Sequence, residues 1–312
     1  MLALAIAQRG APAEVTDVAV PAAGPGEVLV AVEAASVNGF DLAVAAGYVW
    51  DVMPHTFPVV LGRDFAGTVE SVGEGVDAFA VGDRVAGSIQ SGGLGRGAIA
   101  ERVTASATWL TRVPDGVTSL QAAAVGLAAV SALDAVAALD IGPDDVVLVS
   151  GATGGVGVFA VQLAADRGAR VIATARPGEA SDVVRRLGAA AAVDYRTDLA
   201  AAVKAVAPGG VRKTLHAAGD PAALAAVVVP GGLLVSLLGA DASQVGRDDI
   251  TVTAISVHPT AEKLAGLLDE VAAGRLEVPV AATFPLEKAT DALAAFSGPK
   301  VGKIVVEVAP PR

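Results

Sequence analysis

A glycine-rich segment that follows an apolar run has the residue types and spacing of a phosphate-binding loop. Residues 150–157 have the sequence SGATGGVG, and a stretch that favours a helix follows them. Glycine allows a tight turn and a close approach to a pyrophosphate, and the N–H groups at a helix start attract its negative charge. The segment therefore predicts dinucleotide binding, although a glycine-rich turn without a ligand has the same composition. The predicted contacts are Ala152, Thr153, Gly154, Gly155 and Val156.

The end of the next predicted strand bears on which dinucleotide binds. An NAD site typically has Asp or Glu there, which accepts hydrogen bonds from the ribose hydroxyls. Residues 172–176 have the sequence IATAR, so Thr174 and Arg176 lie where a carboxylate would be expected. A guanidinium binds the 2′-phosphate that a carboxylate would repel. The pattern favours NADPH, and the alternative is that Arg176 is a solvated loop residue.

The pattern of strands and helices that must position this loop changes along the chain. Before Pro114, short β-branched runs such as 67–72 are bordered by Gly or Pro and predict strands. After it, an Ala-rich helix over 119–139 precedes alternating strands and helices, which is typical of a doubly wound parallel sheet. The β-branched tail over 303–308 predicts a strand that returns to the first domain. The prediction is an α/β protein with a mainly-β domain at 1–116, a Rossmann domain at 117–257 and the return at 258–312.

Length, charge and cysteine content exclude several classes of protein. With 312 residues the chain exceeds one ordinary core and suits two domains. Its formal net charge of -11 repels phosphate backbones, so nucleic acid is not an expected partner. The chain has no cysteine, and His55, His216 and His258 lie far apart, so neither a disulfide nor a metal site is predicted.

Two uncharged stretches reach the length of a membrane span, at 146–165 and 221–240. Each contains a glycine cluster where a strand should meet a turn, so both are interpreted as buried core segments. The apolar N-terminus is short and lacks the basic residues of a signal peptide, and it predicts a first strand. We therefore expect a cytoplasmic protein with no membrane partner.

Several motifs, in their order along the chain, resemble one family. Residues 35–41, ASVNGFD, resemble its S-V-N-x-x-D motif, and residues 58–67, PVVLGRDFAG, resemble its P-x-x-x-G-x-D-x-A-G motif. The segment 73–85 and the A-x-G-G-V-G form of the loop at 152–157 are similarly placed. Together they resemble the zinc-free quinone oxidoreductase (zeta-crystallin-like) branch of the medium-chain dehydrogenase/reductase superfamily, over nearly the whole chain.

This resemblance implies a fold, an assembly and the absence of zinc. It implies a GroES-like mainly-β catalytic domain with an inserted Rossmann NADP-binding domain, an active site in the cleft between them, and a homodimer. In zinc members, Cys is common at the position of Asn38, and residues 62–64, here GRD, would be G-H-E. Both ligand types are missing, so the resemblance disfavours alcohol dehydrogenation.

The resemblance also suggests catalytic residues. It places Asn38 and Asp41 on the cleft wall beside the nicotinamide, where Asn38 could donate to the substrate oxygen or to the cofactor ribose. Asp41 could instead hold its loop. Tyr48 and Trp50 either line the mouth of the pocket or serve packing. Residues 42–46, LAVAA, replace the Tyr, Lys or Arg that often reaches the pocket, so the expected substrate is small, hydrophobic and uncharged.

Further cofactor contacts follow from the same resemblance. Tyr195 matches a tyrosine that flanks the 2′-phosphate, and Lys303 matches a C-terminal lysine that reaches the cofactor, although a solvated charge is equally compatible. His216 could approach the nicotinamide ribose, but a buried histidine with satisfied hydrogen bonds is favoured. The remaining predicted contacts are Ser131, Ala218, Leu238, Gly239, Ser256 and Val257.

The implied activity is transfer of a hydride from NADPH to a quinone or to an α,β-unsaturated carbonyl, without zinc. Two alternatives remain open at this point. One is a pathway-specific enoyl or ring-forming reductase, which shares the chemistry but has a selective pocket. The other is a protein that binds NADPH without significant catalysis, since a family proton donor is missing from residues 42–46.

Overall fold

The computed structural model describes residues 1–308, which divide into two compact units. Unit 1 comprises Met1–Leu127, Pro259–Pro299 and the chain from Lys303, and unit 2 comprises Ala128–His258 and Lys300–Gly302. The predicted boundary after residue 116 differs from this division, because the first part of a long helix belongs to unit 1. Residues 309–312 of the predicted return segment lie outside the described residues.

The secondary structure is mainly strands before residue 113 and alternates between strands and helices after it, as the sequence predicts. The strands are β1 (Leu2–Ile6), β2 (Ala13–Asp17), β3 (Glu27–Ser36), β4 (Val59–Val60), β5 (Asp64–Val72), β6 (Arg84–Ser88), β7 (Arg102–Ser106), β8 (Leu110–Arg112), β9 (Val146–Ser150), β10 (Arg170–Thr174), β11 (Ala191–Val193), β12 (Val211–His216), β13 (Val228–Ser236), β14 (Thr251–Ala254), β15 (Val280–Pro285) and β16 (Lys303–Glu307). The α-helices are α1 (Gly39–Ala45), α2 (Ser119–Ala138), α3 (Gly157–Asp166), α4 (Glu179–Arg186), α5 (Leu199–Val206), α6 (Pro221–Ala225), α7 (Ala242–Val245), α8 (Ala261–Ala272) and α9 (Ala289–Phe296).

Unit 1 is mainly β, as predicted, and most of its strands pair antiparallel. One sheet has the order β15-β16-β3-β5-β6-β8, with β7 also paired to β3, and a smaller sheet has the order β2-β1-β4. The central strands β3 and β5 bury side chains such as Val30, Val32 and Phe65 completely. The C-terminal strand β16 pairs with β3, so the chain does return to the first domain.

Unit 2 contains a parallel sheet in the order β11-β10-β9-β12-β13-β14. Counted within the unit this is 3-2-1-4-5-6, the doubly wound order of a Rossmann fold. Its strand β9 begins with a continuous apolar run, VVLV, because helices cover both faces of such a sheet. The order reverses between β9 and β12, and ligands of these sheets bind at the carboxyl ends of the strands at that reversal. The predicted fold class is confirmed.

Helix α2 is long and apolar enough to cross a membrane by length and composition alone. Of its most apolar window 67% is buried, and Gly126 interrupts it with φ 3° and ψ -127°. These features are those of a core helix in a packed protein. The two uncharged stretches at 146–165 and 221–240 each contain a strand and a separate helix, so neither forms one continuous helix.

Candidate active site

The glycine loop of unit 2 lies at the carboxyl end of β9, where the strand order reverses. Gly151 has φ +72°, and its N–H donates to the side-chain oxygen of Thr174 at 3.0 Å. The Ser150 hydroxyl donates to the carbonyl of Ala218, which follows the neighbouring strand β12. A Cβ on Gly157 would lie 2.1 Å from the carbonyl oxygen of Gly151. These contacts hold the turn tightly, and Thr174 serves that turn.

The start of α3 presents backbone donors toward the loop. Within residues 1–308, the N–H groups of Gly155, Val156 and Gly157 have no hydrogen-bond acceptor. The carbonyl of Thr153 accepts from the N–H of Gly302 at 2.9 Å, which ties the loop to the chain before β16. Three consecutive free donors at the start of a ten-residue helix attract an anion, because they add to the positive end of the helix dipole.

Several polar and charged side chains lie close together beyond the carboxyl ends of β10 and β11. The Arg176 Nε donates to the phenolic oxygen of Tyr195 at 3.1 Å, and both side chains are exposed. Asp194 also lies here, but Arg196 holds its carboxylate by two hydrogen bonds at 2.9 and 2.7 Å. The hydrogen bonds from Arg196, and the nearby charge of Arg176, lower the pKa of Asp194 to about 2. The negative charge of Asp194 is thus paired with Arg196, while the side chains of Arg176 and Tyr195 are both exposed to solvent.

His216 at the end of β12 is buried and both of its ring nitrogens have hydrogen-bond partners, which is the alternative that the sequence favoured. Its Nδ1 lies 3.0 Å from the Ser236 hydroxyl, and its Nε2 lies 3.1 Å from the carbonyl of Gly219. Ser236 Oγ already accepts from the N–H groups of Leu238 and Ala240, so its own proton goes to Nδ1. His216 is therefore the Nε2–H tautomer, and it supports two loops of this edge.

The other predicted cofactor contacts are distributed around unit 2, and their contact with a cofactor stays a prediction. The buried ones are Ser131 and Ala152. Those on loops after the strands of unit 2 are Ala218, Leu238, Gly239, Ser256 and Val257. Leu238 is the notable member of this set, because a leucine side chain that is 60% exposed presents apolar surface to a ligand.

Unit 1 contains a connected group of buried polar side chains, here called the polar cluster. Its members are Ser36, Asn38, Asp41, Asp64, Ser88 and Lys303, and none is more than 6% exposed. Buried polar groups are costly unless they are hydrogen-bonded. Every member has such a bond, so the cluster is a fixed arrangement of polar and charged side chains inside unit 1.

Asp64, at the start of β5, is the centre of the polar cluster. Its Oδ2 accepts from Ser36 Oγ at 3.0 Å and from Asn38 Nδ2 at 2.8 Å. Its Oδ1 accepts from Ser88 Oγ at 3.0 Å and from the Leu127 N–H at 2.8 Å. Leu127 follows the kink of α2 at Gly126 and is the last residue of that helix in unit 1. One carboxylate therefore joins three strands and a helix of unit 1.

Lys303 holds the other end of the Asn38 amide. Its Nζ donates to Asn38 Oδ1 at 2.6 Å and to the Val37 carbonyl at 3.1 Å. The Asn38 Nδ2 donates to Asp64 and, at a long 3.4 Å, to the Ser36 carbonyl. Both ends of the amide are thus engaged within unit 1. The structure places the ammonium of Lys303, predicted as a cofactor contact, at Asn38 and buries it.

Asp41 is buried at the first turn of α1. Its Oδ2 accepts from the Asn38 N–H at 2.8 Å and its Oδ1 from the Gly62 N–H at 3.0 Å. The carboxylate thereby holds both loops that carry the motif residues, which is the structural role left open for it. Burial raises the pKa of Asp41 to about 6, while those two hydrogen bonds and Lys303 oppose the rise and Asp64 adds to it.

This raised pKa predicts a pH dependence of stability. The carboxyl group binds its proton below about pH 6 in the folded chain and below 3.8 in the unfolded one. Between these values the folded state holds more protons, so its free energy of unfolding falls as the pH rises, by about 3 kcal/mol in total. We expect this loss to be absent in Asp41→Asn, whose side chain does not titrate. Urea unfolding of both proteins from pH 4 to 7.5 measures it, and parallel curves would contradict the expectation.

Arg63, which precedes Asp64, is a charged neighbour of the cluster that the motif analysis left without a role. Its guanidinium stacks on the Phe40 ring at 4.2 Å, and its Nη1 donates to the Ile89 carbonyl at 2.8 Å. Burial lowers its pKa, whereas the charges of Asp41 and Asp64 oppose that shift. The sequence does contain a sign that Arg63 has a role: an arginine and an aspartate interrupt the apolar segment 58–67, and charged residues are rarely buried without a partner.

Tyr48 and Trp50 have different surroundings. Tyr48 is 82% exposed, and its place at the mouth of a pocket stays a prediction. Trp50 is 5% exposed, and its ring packs against His55 at 5.1 Å and Phe57 at 5.3 Å between centroids. Of the two roles considered for Trp50, lining a pocket or packing, these ring contacts are those of a packed core residue.

Comparison with known proteins agrees with this architecture. The model of the alcohol dehydrogenase GroES-like domain matches residues 24–115, and that of the zinc-binding dehydrogenase domain matches residues 187–306. The chloroplast envelope quinone oxidoreductase homolog of Arabidopsis thaliana is 31% identical over 94% of this chain and 93% of its own. A mycocerosic acid synthase-like polyketide synthase of Mycobacterium tuberculosis is 33% identical over 91% of this chain, which spans 14% of that protein. A mycobacterial structure solved as a complex with NADPH is 30% identical, with a TM-score of 0.86 over 98% of this chain and 99% of that one.

The name of the second matched domain raises the question of a zinc ion, and the donor set does not fit one. Among residues 1–308, no three His, Asp or Glu side chains come together as metal ligands. The chain has no cysteine, and Asn38 and Arg63 stand at the motif positions where zinc members carry ligands. An arginine cannot ligate zinc because its guanidinium stays protonated.

Proposed function

The chain belongs to the medium-chain dehydrogenase/reductase superfamily, in its quinone oxidoreductase branch, and on this premise we propose that it reduces quinones or α,β-unsaturated carbonyls with NADPH and without zinc. The observation that carries the proposal is the loop at the end of β9, with three free N–H donors, near the solvent-facing pair Arg176 and Tyr195. We also propose that the protein acts in the cytoplasm, as a homodimer, on small hydrophobic substrates.

The residues of unit 2 fit a dinucleotide with a 2′-phosphate. Gly157 leaves the space in which a Cβ would collide with the loop, and the N–H groups at the start of α3 would hold a pyrophosphate. Arg176, whose Nε is hydrogen-bonded to Tyr195, would bind the 2′-phosphate. Asp194 would not compete for Arg176, because its carboxylate is paired with Arg196. When bound, the reduced nicotinamide supplies a hydride.

For the reaction to proceed, the protein must also bind and orient the acceptor and stabilise the negative charge that develops on its oxygen. The polar cluster fixes the Asn38 side chain, because Asp64 and Lys303 hold the two ends of its amide. The partly exposed apolar side chains of α1, such as Leu42, suit an uncharged acceptor. Water supplies the proton that completes the reduction.

A second candidate function is favoured by one specific observation. The chain is 33% identical to a segment of a mycobacterial polyketide synthase. We therefore also propose, as the alternative, a dedicated enoyl or cyclising reductase of a biosynthetic route, which uses the same chemistry on a selected substrate. A protein that binds NADPH without catalysis is the third possibility.

A turnover screen tests these functions directly. NADPH oxidation is followed with 1,4-benzoquinone, with the enone 4-phenyl-3-buten-2-one and with a crotonyl thioester. Activity with the first two supports the general reductase, and activity with the thioester alone supports the enoyl reductase. Tight NADPH binding without turnover of any acceptor would leave only the non-catalytic protein.

Arg176 provides the test of cofactor preference. We expect Arg176→Ala to weaken NADPH binding about 10- to 100-fold, because it removes a charged hydrogen-bond donor from the 2′-phosphate. NADH binding is expected to stay unchanged, since NADH lacks that phosphate. Arg185→Ala, which removes another exposed arginine of unit 2, is the matched control. Equal losses for both cofactors, or a wild type that prefers NADH, would overturn the NADPH proposal.

A further inference from the structure

The guanidinium of Arg63 has more donors than its surroundings use. An arginine carries five N–H groups. Nη1 donates to the Ile89 carbonyl, and among residues 1–308 the guanidinium forms no other hydrogen bond. The side chain is nevertheless half-buried and stacked on Phe40. A guanidinium that is held in place while its other donors are open can accept a ligand oxygen without rearranging.

The position of Arg63 distinguishes it from the other charges of unit 1 nearby. Asp41, Asp64 and Lys303 are each 2% exposed or less. The amide of Asn38, the expected donor to a substrate oxygen, is engaged at both ends. Arg63 adjoins the same cluster and is only partly buried, so it is the charged side chain there that a small molecule can approach from solvent.

We propose that Arg63 is a catalytic residue that binds the carbonyl oxygen of the acceptor and stabilises the negative charge that develops on it. The assignment rests on the proposed reductase function. In that reaction a hydride adds to the β-carbon of an enone, and the electron pair of the C=C bond shifts until the oxygen carries the charge of an enolate. A proton from water then adds to the α-carbon. Arg63 keeps its own proton throughout and acts by hydrogen bonding and charge.

The surroundings of Arg63 suit this role. The Phe40 ring and the Ile89 carbonyl fix the plane of the guanidinium, so its open donors are oriented before the substrate arrives. The carboxylates of Asp41 and Asp64 favour its charged form. A preoriented donor in a partly desolvated place stabilises a developing oxyanion more strongly than a solvated one.

Arg63→Met tests the proposal, because methionine keeps an apolar stem against Phe40 and removes the donors. We expect kcat with 4-phenyl-3-buten-2-one to fall about 100-fold, as when one oxyanion donor is lost. Arg63→Lys, which keeps the charge but not the fork of donors, is expected to lose less. The matched control is Arg84→Met, since Arg84 also donates to one backbone carbonyl of unit 1, that of Val117 at 2.8 Å. The control is expected to keep wild-type turnover.

A binding measurement gives a readout that does not depend on turnover. The carboxylate of 3-phenylpropanoate mimics the anionic oxygen, and 3-phenylpropanamide is its neutral counterpart. By calorimetry, Arg63→Met is expected to bind the carboxylate at least about tenfold more weakly and to bind the amide and NADPH as the wild type does. Unchanged carboxylate affinity, or turnover equal to that of Arg84→Met, would overturn the role of Arg63.

The two proposals fail in different ways. If the wild type reduces neither quinone nor enone, the proposed function fails, and with it the catalytic role. A loss of carboxylate binding in Arg63→Met would then still identify Arg63 as an anion-binding residue. If the wild type is active and Arg63→Met turns over the neutral enone normally, the reductase function stands and the catalytic role of Arg63 is wrong.

Discussion

Gly157→Ala is expected to lower the affinity for NADPH about 100-fold. The added Cβ would lie 2.1 Å from the Gly151 carbonyl oxygen and 2.5 Å from the Ala152 Cα, and both are backbone atoms that cannot rotate away. Either the loop or the start of α3 must therefore move. Losing two of the three donors to a charged phosphate, at about 1.5 kcal/mol each, corresponds to that factor. Fluorescence titration with NADPH measures it.

The same substitution is expected to destabilise unit 2, by about 1–3 kcal/mol, as other overpacking changes do. Circular dichroism and thermal unfolding separate a folded variant that binds poorly from one that has unfolded. Gly209→Ala is the control in the same unit, because no atom lies within 4 Å of its Cβ position. If folded Gly157→Ala bound NADPH as the wild type does, the loop could not be the pyrophosphate site.

The loop and its sheet were predictable because their signals are local in sequence. A strand, a loop with four glycines and a helix follow one another within residues 145–166, and the apolar run that marks the buried strand is continuous. The prediction of NADPH as the cofactor depends on the absence of an acid after β10, and that inference is also local. The structure adds a fact that spacing could not show: Asp194 reaches the same edge from β11, and Arg196, two residues away, neutralises it.

The polar cluster was not predictable, because its hydrogen bonds join residues that are far apart in sequence. Asn38 and Lys303 are separated by 265 positions, and a C-terminal lysine carries no local sign of its partner. Ser88 belongs to none of the motifs, and the motif that contains Ser36 does not specify its contact with Asp64. The motifs therefore identified where the cluster lies, and only the packed strands show which side chain holds which.

The polar cluster contributes to the stability of unit 1 mainly through Asp64. Asp64→Ala is expected to lower the free energy of unfolding of unit 1 by about 3–5 kcal/mol. The substitution leaves four donors without their carboxylate. The two serine hydroxyls can turn to other acceptors, but Asn38 Nδ2 and the Leu127 N–H cannot change their character. Because Lys303 stays in place, its buried charge also loses a nearby countercharge.

Ser88→Ala is the graded control for this prediction, because it removes one of the four bonds and leaves the carboxylate paired with the other three. It is expected to cost about 1 kcal/mol, the usual net contribution of one hydrogen bond. Urea unfolding followed by tryptophan fluorescence compares both variants with the wild type, since Trp50 and Trp109 both belong to unit 1. A loss for Asp64→Ala no greater than that for Ser88→Ala would show that water replaces the carboxylate, and that Asp64 does not hold unit 1 together.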